Sequence, residues 1–233
     1  MTARGVETKK TGTWLVTGAN RGIGLAFARE LLARGQNVVG TARKPEEAND
    51  LRAAGARVER LDVADASSID RLAAALRDEP IDVLIHNAGR GGGANAAAEI
   101  TAKEIEAFFR VNARGPMLVT RALLANLEKG RRRTVIGITS GLASITHSNG
   151  GWYGYRASKA ALNMFVRTLA GELADRRYLC AVLSPGWVRT EMGGAGAPLS
   201  PEKSVRGMLD VIDRLTPQES GGFFDYRGKE QPW

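Results

Sequence analysis

The chain has 233 residues, of which 43% are hydrophobic, an ordinary balance for one globular domain with a sizeable core. Its formal charge of +8 permits an anionic ligand or a nucleic acid, but the basic residues are spread along the chain with no aromatic interleaving, and the tightest cluster, Arg131, Arg132 and Arg133, reads as a solvated turn, so no nucleic-acid partner is expected. No apolar run is long enough to span a membrane, the polar opening MTARGVETKKTGTW lacks a secretory apolar region, and the lone Cys180, in the apolar run YLCAVL, reads as a buried thiol, so a cytoplasmic protein is expected.

Residues 1–12 read as a flexible basic tail ahead of a single domain over 13–233. The domain opens with a short apolar strand, TWLVT (13–17), and a helix over 22–35 closed by Gly35. A strand over 37–42 leads to a helix in PEEANDLRAAG, and a strand over 57–62 to a helix over 67–78 with Ser67 as N-cap. IDVLIHN (81–87) is the next strand. The long helical region 101–130 is expected to be interrupted near Gly115 and Pro116. A strand over 133–140, a helix over 155–175, a strand over 178–186, a helix over 200–215 and a last strand in GGFFDY (221–226) complete the series. Such alternation predicts an α/β fold: one doubly wound Rossmann domain, a seven-stranded parallel sheet with helices on both faces. Ligands of such sheets bind beyond the carboxyl ends of the strands.

The first strand is followed by TGANRGIG. Gly18 suits a tight turn of positive φ, and Gly22 and Gly24 admit close backbone approach. With Asn20, Arg21 and Ile23 they form a strand-to-helix turn that offers free N–H groups to a pyrophosphate. An acid that would hold a ribose 2′-OH is expected about 20 residues on. Thr41 and Ala42 occupy that place, and Arg43 follows. Arg43 and Arg21 together suit a 2′-phosphate, so NADP(H) is expected over NAD(H). An alternative leaves Arg43 in solvent and gives the position to Lys44 or Glu46. Asp62 and Val63 end the third strand, where a carboxylate can accept from an adenine amino group. Asn87, Ala88 and Gly89 end the fourth, and Pro185 and Gly186 the sixth, before Val188 and Thr190. No metal site is expected.

The stretch GGWYGYRASKAALN places two tyrosines ahead of Lys159. Tyr155 lies at i, i+4 to the lysine, a spacing that shares a helix face, whereas Tyr153 lies outside the regular turn. A free tyrosine needs a fall of about three pKa units, roughly 4 kcal/mol, to exchange protons near neutrality. One cation about 4 Å away at an effective dielectric near 20 supplies about that much, and burial of the phenol opposes it.

TGANRGIG, HNAG, Asn112, Ser140, YRASK and PGWVRT occur in the order and spacing of the short-chain dehydrogenase/reductases, and the chain resembles that family from about Thr13 onward. Finer details, WYGYRASKAALNM and PGWVRTEMGG among them, are similar to the branch of small carbonyl reductases and C-factor-type signalling proteins. The resemblance implies Tyr155 as acid/base, Lys159 as its tuner and ribose ligand, and Ser140 as donor to the substrate oxygen. It implies a relay water held by Asn112, Thr190 at the nicotinamide carboxamide, and Asn87 near the cofactor ribose. It also implies a carbonyl or alcohol substrate and a homodimer or homotetramer built on the helices near 101–128 and 155–175. Its C-factor side leaves open a non-catalytic, cofactor-binding signalling protein. The sequence departs from the family's NNAG at His86, and the interval from Ser140 to Tyr155 is fifteen residues, slightly long, with Ser144 as second candidate. GGAGAPLSP is expected to form a mobile loop over the site. Trp152, Tyr153 and Trp187 are candidates either for a substrate pocket or for packing. The final Trp233 is expected to dock on its own subunit or on a neighbour.

Overall fold

The computed structural model describes residues 11–233. β1 (Thr13–Val16) leads into α1 (Gly22–Ala33), and β2 (Asn37–Ala42), α2 (Asn49–Ala53), β3 (Arg57–Arg60), α3 (Ala66–Ala75) and β4 (Val83–His86) follow. Then come α4 (Ala102–Phe109), a π turn over Arg110–Arg114 and α5 (Gly115–Lys129). β5 (Thr134–Ile138), α6 (Tyr153–Glu172), β6 (Leu179–Ser184), α7 (Pro201–Arg214) and β7 (Phe223–Asp225) finish the domain.

All strands pair in parallel in the order β3-β2-β1-β4-β5-β6-β7. Successive strand residues point to opposite faces, and the sequence fills both. Val16, Ile85, Ile136 and Leu183 face a core built with Phe27 and Leu31 of α1 and Met208 and Ile212 of α7. Their neighbours Leu15, Leu84, Val135 and Val182 face the opposite core, with Leu72 of α3, Leu123 of α5 and Leu162 and Val166 of α6. The seven-stranded, doubly wound parallel sheet is thus as expected. The chain leaves the sheet centre in opposite directions from β1 and β4, which opens a crevice between their carboxyl ends.

Three local expectations change. The N-cap of α3 is Asp65, whose carboxylate accepts from the Ser67 N–H at 3.0 Å, so Ser67 lies inside the first turn. Gly115 and Pro116 do not interrupt the long helix. The backbone stays helical from α4 through the π turn, where the Gly115 N–H reaches the Arg110 carbonyl, and Pro116 falls in the first turn of α5. α6 begins at Tyr153, two residues early, after Trp152 at φ 51°. The basic tail expected over 1–12 falls, for residues 1–10, outside the described residues, and Gly12 is already buried with its N–H on Gln36 Oε1 at 2.9 Å.

Cys180 is buried, and burial pushes its thiol up to about 12. Trp233 docks on its own chain: its ring packs 5.6 Å from Phe223, beneath the Arg167 guanidinium at 4.9 Å. No helix among the described residues is long and apolar enough to cross a membrane.

Candidate active site

The glycine turn sits at the mouth of the crevice. Gly18 and Gly22 have φ of 63° and 55°, conformations that only glycine adopts readily. Gly24 lies in the first turn of α1, where a Cβ would stand 2.3 Å from the Gly18 carbonyl oxygen. Ala19 is fully buried under the turn and Asn20 is partly exposed on it. Ile23 packs on the core beside α1. The turn therefore presents backbone, and the N-terminus of α1, to whatever enters the crevice. That cradle fits a dinucleotide pyrophosphate.

Asn87 braces this turn. Its amide donates to the carbonyls of Thr17 and Gly18 at 2.9 and 3.0 Å. The Thr17 hydroxyl accepts in return from the N–H groups of Asn87 and Ala88, both at 3.0 Å. β1 and β4 are thereby stitched together across the crevice. Thr17 was not singled out from sequence. Its only signal is its place at the end of a strand, before the glycines. Asp62 and Val63 lie just past β3. The Asp62 carboxylate accepts from the Ala64 N–H at 2.9 Å, so one of its oxygens shapes the turn.

Tyr155 and Lys159 lie on the buried face of α6, 7% and 5% exposed, while Tyr153 is 39% exposed. Tyr153 is in the first turn of α6, not outside it as expected, and it is helix phase that turns it away from the face shared by Tyr155 and Lys159. Phe108 and Trp152 meet the Tyr155 ring edge-on, with centroids 6.4 and 5.6 Å away. Ser140 follows β5 on the Tyr155 side of the site, and its Oγ accepts from the Leu142 N–H at 3.1 Å. Ser144 is turned instead toward the C-terminal residue, its hydroxyl 3.4 Å from the Trp233 carbonyl.

The Lys159 ammonium donates to the Ile138 carbonyl at 2.7 Å. Burial lowers its pKa to about 8, and burial raises that of Tyr155 above the ordinary tyrosine value, with Ser140 partly opposing. The Coulomb estimate from spacing anticipated a lowered tyrosine. Desolvation wins, because both groups lie on the buried face of α6 and the lysine points at a backbone carbonyl.

Asn112 is fully buried in the π turn. Its amide nitrogen donates to the Arg90 carbonyl and to Ser158 Oγ, each at 2.9 Å, and its oxygen accepts from the Arg90 N–H at 2.8 Å. Ser158 donates to the Tyr155 carbonyl at 2.8 Å. Asn112 thus ties the loop after β4 to α6. At Gly89 a Cβ would lie 3.5 Å from both Asn112 Oδ1 and Lys159 Nζ, so Gly89, Asn112 and Lys159 share one space.

The segment after β6 closes over the glycine turn. Gly186 has φ 79°, directly after Pro185. Val188 pairs with Leu199, and Thr190 accepts from the Gly193 N–H at 3.1 Å. The Trp187 indole donates to the Gly193 carbonyl at 2.8 Å. These bonds hold the two ends of the segment 193–201, the loop expected over the site. The Thr190 methyl would lie 3.4 Å from a Cβ on Gly22. Glu191 forms an ion pair with Arg21, a partner that no local motif signals. At the far rim Lys44 pairs with Glu47 and Glu46 with Arg60, while Arg43, exposed, offers its carbonyl to Arg60. Trp152 lines the Tyr155 side of the site, whereas Trp187 is 62% exposed.

These features have close counterparts. Over 155 residues, 66% of this chain and 93% of the relative, the sequence is 47% identical to the C-signal protein of Myxococcus xanthus. The fold superposes on the carbonyl reductase Sniffer of D. melanogaster with a TM-score of 0.90, at 30% identity over 96% of this chain and all of that one. It also superposes on an NADPH-bound carbonyl reductase from chicken fatty liver, with a TM-score of 0.89, at 33% identity over 96% of this chain and all of that one. The profile of the short chain dehydrogenase family matches residues 13–197, and the chain belongs to that oxidoreductase family.

Proposed function

We propose that this protein is an NADP(H)-dependent oxidoreductase that interconverts a carbonyl compound and its alcohol, with Tyr155 as acid/base. The observation that carries this reading is the buried Tyr155–Lys159 pair on one face of α6, with Ser140 at the end of β5 and the glycine cradle across the crevice. The NADPH bound to the chicken carbonyl reductase supports the cofactor assignment.

When bound, the nicotinamide supplies the hydride. The chain's own groups do the rest. The glycine turn from Gly18 to Gly24 holds the pyrophosphate, and Arg43, with Arg21 when released from Glu191, holds the 2′-phosphate. Asp62 and Val63 flank the adenine, Ala88 and Gly89 the middle of the cofactor, and Val188 and Thr190 the nicotinamide end. Ser140 donates a hydrogen bond to the substrate oxygen, where negative charge builds, and Tyr155 gives that oxygen its proton. Lys159 orients the cofactor ribose and lowers the cost of the phenolate. Asn112 is the residue that would hold a relay water, and its side-chain amide is committed to Arg90 and Ser158.

Exposed Ile105, Met117 and Met164 on α4, α5 and α6 support a homodimer or homotetramer built on these helices, and a light-scattering mass of one chain would exclude it. The likeness to C-signal favours a second reading, a cofactor-binding signalling protein without turnover. NADPH consumption across aldehydes, ketones and quinones separates the two. Turnover that vanishes in Tyr155→Phe while NADPH still binds supports the reductase. Binding without turnover across the panel favours the signalling reading.

A further inference from the structure

Ser140 and Tyr155 stand on different elements, and the loop between them is held at three places. After Ser140 comes a short 3₁₀ turn over Gly141–Ala143, closed by the Ala143 N–H on the Ser140 carbonyl at 2.9 Å. The Gly141 N–H reaches Ser184 Oγ, at the end of β6, at 3.0 Å. At the other end Arg156 of α6 donates to the Gly151 carbonyl at 3.0 Å and to Asn149 Oδ1 at 2.6 Å. The middle, residues 143–148, makes mostly local bonds: the His147 N–H on Ser144 Oγ and the Ser148 N–H on the Ile145 carbonyl, both at 3.2 Å. Ile145 is 76% exposed, so apolar packing there contributes little. Among the described residues one group from outside the loop hydrogen-bonds this middle segment, the main-chain oxygen of Trp233. It accepts from the Thr146 N–H at 2.9 Å, from the Thr146 hydroxyl at 2.7 Å and from the Ser144 hydroxyl at 3.4 Å.

Trp233 is itself anchored elsewhere. β7 is the edge strand of the sheet. The chain turns after it, with the Asp225 N–H on the Lys229 carbonyl at 2.9 Å, and folds back along the edge. Phe224 bridges Glu230 in antiparallel fashion, and the Gln231 N–H reaches the Phe223 carbonyl at 2.8 Å. The fold-back delivers the Trp233 ring onto the buried Phe223 and beneath the Arg167 guanidinium. Arg167 belongs to α6, the helix of Tyr155. One residue therefore grips the loop behind Ser140 with its backbone and the helix of Tyr155 with its ring.

We propose that Trp233 is a positioning residue for Ser140, fixing the loop that Ser140 opens against the helix that carries Tyr155. The clamp stands on the bonds above, while its effect on turnover rests on the reductase reading. Ser140 Oγ is tied to its own turn, through the Leu142 N–H, so the place of the turn decides the place of the hydroxyl. A donor to a substrate oxygen tolerates little displacement, and about 1 Å can cost about 100-fold in rate. The glycine cradle shares no hydrogen bond with this loop or with Trp233 among the described residues, so cofactor binding is expected to be spared.

The test pairs steady-state kinetics with hydrogen exchange, read by mass spectrometry over peptides covering 141–151. In Trp233→Ala the loop should exchange faster and kcat for a carbonyl substrate should fall about 10–100-fold, with the KM for NADPH within about twofold of wild type. Trp233→Phe, which keeps a ring on Phe223 and under Arg167, should restore both most of the way. Unchanged exchange in Trp233→Ala would overturn the clamp. Faster loop exchange with unchanged kcat would overturn the positioning role. So would a fall in kcat accompanied by weaker NADPH binding and faster exchange throughout the sheet, the pattern of a purely structural residue. Should Trp233→Ala fail to fold, Thr146→Ala removes one of the three bonds from an exposed position. Smaller shifts in the same directions are then expected, and no shift in either readout counts against the proposal. A wild-type protein that reduces no carbonyl would count against the reductase reading, and loop exchange would still judge the clamp.

Discussion

Tyr155 and Lys159 are 7% and 5% exposed, whereas the side chains of Arg21 and Glu191 are 63% and 76% exposed, although the two pairs flank one crevice. On the floor, each polar atom is placed by a helix face, a strand end or a backbone carbonyl. On the rim, charges are placed by other charges in water. Burial makes the floor sensitive to single atoms. Exposure makes the rim exchangeable, since an exposed ion pair contributes about 0–1 kcal/mol. The pair at the glycine turn can therefore open for a phosphate at small cost, while the floor cannot be rearranged without loss.

The comparison is broken most directly at the phenol. Tyr155→Phe is expected to lower turnover by about 10²–10⁴-fold while NADPH binding, followed by fluorescence, stays near wild type. Residual activity near wild type would remove the floor from the chemistry. The next effect is on stability. Lys159 has a pKa of about 8 in the fold against 10.5 as a free side chain, so burying its charge costs on the order of 3 kcal/mol below pH 8. Lys159→Met should therefore unfold at higher denaturant than wild type at pH 7. Because the unfolded chain binds the proton more tightly, wild-type stability rises with pH between about 8 and about 10.5, and the advantage of the variant should shrink over that window. A pH-independent difference would mean that the ammonium is better solvated than its burial implies.

Gly24→Ala tests the cradle between floor and rim. Its Cβ would stand 2.3 Å from the Gly18 carbonyl and 2.5 Å from Asn87 Nδ2. A loss of about 1–3 kcal/mol in urea denaturation and weakened NADPH binding are expected. The smallest effects belong to the rim. Arg43→Ala should raise the KM for NADPH about tenfold with little change for NADH, the loss of one charge-assisted phosphate contact. Arg21→Ala should cost less, because Glu191 already shares its guanidinium. A larger loss for Arg21 than for Arg43 would reverse the assignment of the 2′-phosphate.

The motif residues were legible because their signals are local. The i, i+4 spacing put Tyr155 and Lys159 on one buried face and left Tyr153, in the same helix, exposed, and the glycines marked a turn whose positive φ values only they tolerate. The misplaced boundaries share a cause. Pro116 reads as a break in isolation, but a π turn five residues long absorbs its missing donor. Ser67 reads as a cap, but Asp65 reaches the same first turn with a stronger acceptor.

The sequence alone therefore determined the sheet, the crevice and the identity of the residues around it, because strand alternation, helix periodicity and glycine turns depend on neighbours along the chain. Only the tertiary structure decided how those residues are held. It set Asn112 between Arg90 and Ser158, gave Arg21 a partner in Glu191, raised Tyr155 and lowered Lys159. Desolvation and long-range partners arise from what folding brings close, and spacing along a chain does not carry them.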